Sequence, residues 1–134
     1  MNERRMLQVR DVMNSRYIMV DGLETVGDAF AKLKHEDARC IIVRKRDEGD
    51  EFGLVLLSDI AKKVIAADRS PDRVNVYEIM SKPVISVHPD MDIRYTARLF
   101  SQFGLAVAPV IDNGEVVGTV TYTDIVLHGL PECD

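Results

Sequence analysis

The second half of this chain repeats the first, and no other feature limits the available folds as strongly. Asp11–Met13 and Glu78–Met80 are the same short phrase, 67 positions apart. Apolar residues keep this offset without a gap over residues 9–43. A fold made of two similar halves is therefore expected.

The offset falls to 65 after a single interruption, so that Gly53–Ile60 matches Gly118–Ile125. The two extra residues of the first copy lie within Lys45–Glu51, a charged stretch that is predicted to form a hairpin loop. The second copy has Asp112–Glu115 at the same place, and its Asn-Gly pair is a strong signal for a tight turn. Structural repeats tolerate insertions at loop tips, which supports two folded copies.

Each copy has the same predicted order of elements: a short turn, an extended segment, a helix, two strands and a final helix. Asp21 and Asp90 precede the two long helices and are their predicted caps. Ser58 and Thr123 are good N-cap types and mark the predicted starts of the final helices. In the first copy the extended segment is predicted at Tyr17–Val20, the long helix at Val26–Leu33 and the two strands at Arg39–Val43 and Phe52–Leu57. In the second copy the extended segment is predicted at Val84–Val87, the long helix at Ile93–Phe103 and the two strands at Ala106–Ile111 and Val116–Thr121.

These elements predict an α+β fold of two β-α-β-β-α repeats, at residues 7–69 and 75–129. A unit of about 60 residues buries little surface and is marginally stable alone. Two such units packed sheet against sheet would share one core. We therefore expect one compact module with pseudo-twofold symmetry rather than two independent domains.

The charge of the chain argues against several classes of protein. With 17 basic and 22 acidic residues the net charge is −5, which disfavours a general nucleic-acid binder because such proteins neutralise phosphates. Residues 1–70 hold 13 basic and 13 acidic side chains, so residues 71–134, with 4 and 9, carry the whole excess. No uncharged run is long enough to span a bilayer, and no membrane association is expected.

The cysteines and histidines show no pattern typical of a reactive centre. Cys40 lies in an apolar run and Cys133 in a polar tail, so we expect no disulfide framework and predict a cytoplasmic location. His35, His88 and His128 are distant in sequence from any cluster of metal-ligating residues, and no metal site is predicted. No nucleophile–base pair can be identified, so an enzyme is not expected.

Two phrases of the second copy carry a resemblance to a known family. Ala108–Asp112 reads Ala-Pro-Val-Ile-Asp, and Gly118-x-Val-Thr121-x-x-Asp124-Ile125 follows it. Together with the earlier, spaced copy, this pattern resembles a tandem pair of cystathionine-β-synthase-type (CBS) domains, called a Bateman module. The resemblance covers about residues 7–128, nearly the whole chain.

The resemblance implies a regulatory module that binds adenosine-containing ligands, such as AMP, ADP, ATP or S-adenosylmethionine, in clefts between the two repeats, with no cofactor required. In the family pattern an Asp accepts hydrogen bonds from both ribose hydroxyls, and a Thr or Ser three residues earlier donates to phosphate. The second copy matches with Thr121 and Asp124. The first copy keeps Asp59 but has Leu56 in place of the hydroxyl, so its site is expected to be weaker.

The resemblance also implies which residues would surround the ligand. Arg39 is the expected phosphate contact and Arg16 a weaker one, whereas Ala106 stands at the position of Arg39 in the second copy. The contacts implied for the Asp124 site are Tyr17, Ile18, Ala106, Val107 and Ala108, with Arg39 as the source of its countercharge. Those implied for the Asp59 site are Val84, Ile85 and Cys40, and Arg39 is expected near the axis between the two sites.

Simpler readings stay open at this point. Asp59 and Asp124 stand at predicted helix starts, where a carboxylate can act only as a cap. A ligand-free scaffold or dimerisation module with decayed sites is the alternative function, favoured by Leu56 and by the apolar run Ala106–Ala108. The resemblance implies a homodimer. For the ligand-binding module we expect action in trans on an unidentified effector protein, or a role as a nucleotide buffer.

Overall fold

A computed structural model of the protein describes residues 6–132, and Cys133 lies outside this range. The described residues form two compact units. We call residues 16–84 the first-repeat unit, and residues 6–15 with 85–132 the second-repeat unit. The helices are α1 (Val9–Val12), α2 (Val26–His35), α3 (Leu57–Ile60), α4 (Ile93–Phe103) and α5 (Tyr122–Gly129), and the strands are β1 (Tyr17–Val20), β2 (Cys40–Val43), β3 (Gly53–Leu56), β4 (Val107–Asp112) and β5 (Glu115–Thr121).

The first-repeat unit is a three-stranded sheet covered by α2. The strand order is β1-β2-β3, with β1 parallel to β2 and β2 antiparallel to β3. Burial alternates along β1, where Ile18 and Val20 are buried. They share a hydrophobic core with Val26, Ala29 and Leu33 of α2, which recur at helical spacing on one face of that helix. The predicted strand and helix positions in this copy are thus confirmed.

The second-repeat unit is built on the hairpin of β4 and β5. Asn113 and Gly114 connect these strands with positive φ angles, as the Asn-Gly signal predicts. Phe100 of α4 is fully buried in the core of this unit, and its ring lies edge to face with that of Tyr122 at 5.2 Å. Mixed small sheets and helices confirm the α+β class.

The extended segment predicted at Val84–Val87 is shorter than expected. Only Val87 of this segment pairs, in parallel with Val110. The Val87 N–H donates to the Pro109 carbonyl, and the Val87 carbonyl accepts from the Ile111 N–H. Val87 is also the one buried residue of this segment. Flanking prolines at 83 and 89 lack the N–H that would extend a ladder, so the segment does not become a regular strand.

The opening turn of each repeat lies in the unit of the other repeat. In the second-repeat unit, the N–H of Val9 donates to the Met91 carbonyl at 2.8 Å. In the first-repeat unit, the N–H of Val76, which begins a 3-10 turn, donates to the Glu24 carbonyl at 2.8 Å. The folded units therefore do not coincide with the repeats that the sequence shows.

Two equivalent glycines make room for these exchanged segments. A Cβ at Gly53 would lie 2.6 Å from Sδ of Met80, and one at Gly118 would lie 2.9 Å from Sδ of Met13. Both contacts are too close for a real side chain. Because Gly53 and Gly118 are repeat-equivalent, as are Met13 and Met80, the structure has the same close packing twice.

The helix caps differ from those predicted. Thr25 caps α2 by accepting from the Asp28 N–H, and Asp92 caps α4 by accepting from the Arg94 N–H, so Asp21 and Asp90 are not the caps. The final helix of the second copy begins at Tyr122, with Thr121 rather than Thr123 as its N-cap. The long helices begin at Val26 and Ile93 as predicted, and only their caps differ, because more than one polar residue precedes each helix. The final helices begin at Leu57 and Tyr122, one residue before the predicted starts Ser58 and Thr123.

Candidate functional site

Thr121 and Asp124 form a capping box at the junction of β5 and α5. The Thr121 hydroxyl donates to Asp124 Oδ2 at 2.9 Å, and the Thr121 N–H donates to the same oxygen at 2.9 Å. In return the Thr121 hydroxyl accepts from the Asp124 N–H at 3.2 Å. The helix start thus holds the Asp124 carboxylate in one orientation, where the helix dipole stabilises its charge.

Asn14, from the exchanged opening segment, is a third donor to Asp124. Its Nδ2 lies 2.6 Å from Asp124 Oδ2, and its Oδ1 accepts from the Thr119 hydroxyl at 3.0 Å. Thr119 is only 1% exposed, so this polar network reaches into the core of the unit. Sequence reasoning missed both Asn14 and Thr119 because 110 positions separate Asn14 from Asp124.

The hydrogen bonds of the Asp124 carboxylate within residues 6–132 all fall on one oxygen. Oδ2 accepts from three donors, while Oδ1 has no partner in this part of the chain. Asp124 is partly exposed, and the lone pairs of Oδ1 are available to accept hydrogen bonds. The capping role of Asp124 is therefore real, and it leaves one oriented acceptor for an outside donor.

The equivalent site of the first repeat is built differently. The Leu56 N–H donates to Asp59 Oδ2 at 2.8 Å, but Leu56 has no hydroxyl to add a second bond. Lys63 lies with its Nζ 3.7 Å from Asp59 Oδ1 and 3.1 Å from the Ile79 carbonyl, which it bonds. Lys63 belongs to a π-helical segment, Ala61–Ile65, that continues α3 and that the sequence did not predict. Oδ1 has no partner in Asp124 within the described chain, whereas in Asp59 it lies near the Lys63 ammonium group.

The residues that the resemblance implies on β1 and β2 differ in accessibility. Ile18 and Cys40 are buried, 5% and 1% exposed, so a ligand could meet little more than their backbone. Burial raises the pKa of the Cys40 thiol to about 11, and burial, with a smaller contribution from Cys40, raises the pKa of Tyr17. Both groups are therefore neutral near pH 7. Tyr17 is partly exposed, Arg39 is exposed, and no ion pair involves Arg39 within residues 6–132.

The implied residues of the second copy are also mixed. Ala106 is exposed, Val107 is partly exposed, and Ala108 is fully buried in the core of its unit. Val84 and Ile85 are partly exposed and exposed, respectively. Side-chain contacts with a ligand are thus open to Ala106, Val107, Val84 and Ile85, but not to Ala108.

His88 is less isolated than the sequence suggests. Its Nε2 lies 3.3 Å from Oδ1 of Asp112, and its Nδ1 lies 3.6 Å from Oδ2 of Asp90. Asp90 is two positions from His88 in the sequence, whereas Asp112 is brought to the imidazole by the pairing of Val87 with Val110. Even so, residues 6–132 contain no group of three side chains placed to hold a metal ion. Nor is any helix in this range long and apolar enough to cross a bilayer.

Comparisons with known proteins agree with the repeat. The family described as CBS domain matches at residues 9–66 and 76–130. An uncharacterised protein of Methanopyrus kandleri is 32% identical over 90% of this chain and 62% of its own length. The chain spans about three fifths of the length of the first curated relatives that it matches.

Solved structures extend this similarity to the fold. A hexameric CBS-CP12 protein from bloom-forming cyanobacteria has a TM-score of 0.86 and 37% identity, covering 90% of this chain and 67% of that one. The CBS domain pair of protein MJ0100, in complex with 5′-methylthioadenosine and S-adenosyl-L-methionine, has a TM-score of 0.76 and 26% identity, covering 92% and 95%.

Proposed function

Since the chain belongs to the CBS domain family and carries two copies of that domain, we propose that it is a regulatory module that binds an adenosine-containing ligand through Asp124. One observation carries the proposal: Oδ2 of Asp124 is held by three donors, while Oδ1 is left oriented and unpaired within the described chain. The adenosine-type ligands of the MJ0100 domain pair support the ligand class.

The chemistry of this site is recognition of a ribose diol. Two vicinal hydroxyl groups can both donate to one carboxylate, and hydrogen bonds to a charged acceptor are the stronger kind. Thr121 and Asn14 would position the acceptor. The Thr121 hydroxyl already donates its proton to Asp124, so it would have to release that bond before donating to a phosphate. This favours recognition of the nucleoside over recognition of its phosphate chain.

The first-repeat motif is proposed as a weaker site. Lys63 stands next to Asp59 Oδ1, so a ribose would compete with an ammonium group for this oxygen. In return, Lys63 and the exposed Arg39 offer positive charge to a phosphorylated ligand. Val84, Ile85, Cys40 and Arg39 remain the proposed surroundings of that site, and Tyr17, Ile18 and Ala106–Ala108 those of the Asp124 site.

Isothermal titration calorimetry of matched variants tests this proposal. The probes are AMP, ATP, S-adenosylmethionine and 5′-methylthioadenosine. Asp124→Asn should weaken the tightest of these ligands about tenfold or more, since it removes a charged acceptor worth roughly 1.5–3 kcal/mol. Asp59→Asn, the same change at the equivalent position, should weaken that ligand much less. Equal affinity in wild type and Asp124→Asn would overturn the assignment.

A ligand-free scaffold is the second candidate, and the first-repeat site favours it. Leu56 and the Lys63–Asp59 pair are what a decayed site would contain. A thermal-shift screen with the same probes and NADH separates the candidates, because a ligand that binds the native state raises the unfolding temperature. No shift with any probe at millimolar concentration would favour the scaffold.

We further propose a non-catalytic homodimer that acts in trans on an effector protein from the cytoplasm. Apolar side chains exposed on α4 and α5 support self-association: Tyr95, Phe103, Val126 and Leu127. A ligand would then shift the assembly toward the arrangement that it binds more tightly, and its difference in affinity for the two arrangements would limit the size of this shift. Light scattering with a Val126→Lys/Leu127→Lys variant tests the interface, and a dimer that persists would place it elsewhere.

A further inference from the structure

A cavity of about 820 Å³ lies in the first-repeat unit, at the sheet end opposite Asp59. Residues that follow β1 and β2 line it, among them Leu23, Arg44, Lys45 and Arg46. Asp59 instead follows β3, beyond the pair of Cys40 with Leu56, about 10 Å away along the strands. We call this space the basic cavity; it shares none of its lining residues with the site proposed for adenosine.

The lining of the basic cavity is positive in an acidic chain. Arg44, Lys45, Arg46 and Lys82 contribute four cations, whereas Asp21 is the acidic residue among the lining residues. Asp21 is 3.7 Å from Arg44, and their side chains are 77% and 51% exposed, so water weakens this pair. In a chain of net charge −5, such a concave positive site attracts anions.

A buried carboxylate holds two of these cations in place. Asp50, whose side chain is 7% exposed, accepts from the Arg46 N–H and Nε on Oδ2, at 2.8 and 3.1 Å. Its other oxygen, Oδ1, lies 2.5 Å from Lys82 Nζ. Lys82 is only 22% exposed, which is low for a lysine. The cations of the cavity are therefore partly ordered before any ligand arrives, which lowers the entropic cost of binding.

One wall of the basic cavity is apolar and aromatic. Tyr77 is 49% exposed and Leu23 is 78% exposed, both high for such side chains. The backbone of Tyr77 is fixed, because its N–H donates to the Gly22 carbonyl at 3.0 Å. A Cβ at Gly22 would approach the Tyr77 Cβ to 3.2 Å, so a larger residue there would push Tyr77 away. An aromatic side chain on a fixed backbone thus lines the cavity together with the cations.

We propose that the basic cavity binds a small organic phosphate, with the phosphate on Arg44, Lys45 and Lys82 and the apolar or aromatic part against Tyr77 and Leu23. Phosphate oxygens accept several hydrogen bonds at once, and guanidinium groups match their geometry. The cavity volume is within the usual range of about 300–1,000 Å³ for small-molecule sites. The module would then respond to a second metabolite, independently of Asp124.

A pair of minimal probes tests this site by NMR. Phenyl phosphate and inorganic phosphate are titrated separately into the ¹⁵N-labelled chain at constant ionic strength. The expected amide shifts centre on Gly22, Lys45 and Tyr77. Phenyl phosphate should bind about threefold or more tightly than inorganic phosphate, because its ring buries apolar surface against the wall. Tyr77→Ala should remove this difference.

Charge-matched variants separate a site from a general response to charge. Arg44→Gln/Lys45→Gln should weaken phenyl phosphate about fivefold or more. Lys34→Gln/Lys62→Gln removes the same charge from exposed positions of the same unit and should leave affinity within about twofold. Asp124→Asn should also leave it unchanged, even if the adenosine proposal fails. Equal losses in the two double variants, or shifts centred on Asp124, would overturn the proposal.

Discussion

Nδ2 of Asn14 lies 2.6 Å from Oδ2 of Asp124, a carboxylate 110 positions further along the chain. The equivalent residues of the other repeat, Ser81 and Asp59, have no such bond within the described chain. Thr119, which donates to Asn14, is replaced by Leu54 in that copy. The second-repeat unit therefore has a network of side-chain hydrogen bonds that the first-repeat unit lacks at the equivalent positions.

Removing the Asn14 amide should destabilise the protein. Asn14→Ala leaves the buried Thr119 hydroxyl without its acceptor and takes one donor from Asp124, which should cost about 1–3 kcal/mol of unfolding free energy. Urea denaturation followed by circular dichroism measures this loss. Ser81→Ala at the equivalent, exposed position should change the unfolding free energy by less than about 0.5 kcal/mol. Similar values for the two variants would mean that the network adds little.

A methyl group at Gly118 should also be costly. Its Cβ would lie 2.9 Å from Met13 Sδ and 3.1 Å from the Asn14 carbonyl oxygen, so a backbone atom would have to move. Gly118→Ala should lower the unfolding free energy by about 1–3 kcal/mol, as overpacking of a tight core does. The matched control is Gly49→Ala, whose Cβ would meet its nearest atom at 3.5 Å and should have little effect. A Gly118→Ala variant as stable as wild type would contradict the close approach.

Asp50 should make the protein sensitive to acid. Hydrogen bonds from Lys82 and Arg46 hold the pKa of the Asp50 carboxyl far below its usual range. In the unfolded chain the Asp50 carboxyl binds a proton near pH 4, whereas in the native state it stays ionised at that pH. The stability that Asp50 contributes above this pH is therefore lost as the pH falls. The urea midpoint of wild type should drop more between pH 6 and about pH 3 than that of Asp50→Asn.

Glu48→Gln, in the same loop, is the control for this pH dependence. Its side chain is exposed, and the variant should follow the wild-type profile. Parallel profiles for wild type and Asp50→Asn would show that the ion pairs of Asp50 do not stabilise the native state.

The Cys40 thiol should be inert in the native protein. It is 1% exposed, and burial raises its pKa to about 11, so almost no thiolate is present at pH 7. In a Cys133→Ser background, a thiol-specific reagent should label native Cys40 at least about 100-fold more slowly than the urea-unfolded chain. Rapid labelling without denaturant would show that β2 opens readily.

Local patterns predicted most of the fold, and contacts between distant residues account for what they missed. The helices α2 and α4 and both strand pairs follow from the spacing of apolar residues such as Val26 and Phe100. The predicted caps Asp21 and Asp90 were wrong, since several polar side chains precede each helix and Thr25 and Asp92 are the actual caps. The irregular segment before Val87 and the π-helix after Ile60 depend on packing that no local window contains.

The candidate site shows the same division. Thr121 and Asp124 follow from a short motif, whereas Asn14 and Thr119 belong to a network that only the folded chain assembles. A signal was nevertheless present in the sequence. Aligning the repeats sets Asn14 against Ser81 and Thr119 against Leu54, so Asn14 and Thr119 both differ from their equivalents and both accompany the intact motif.

The exchange of opening segments sets an order on folding during synthesis. Residues 16–84, which make up the first-repeat unit, emerge from the ribosome before residues 85–132 do, so this unit can fold first. Val9 and Asn14 emerge earlier still, but their partners are Met91 and Thr119. Residues 9–14 must therefore remain unpaired while the intervening unit forms. Residues 107–121, which form β4 and β5, are made after the first-repeat unit, so the unit that carries Asp124 is completed only when residues 16–84 are already available to fold.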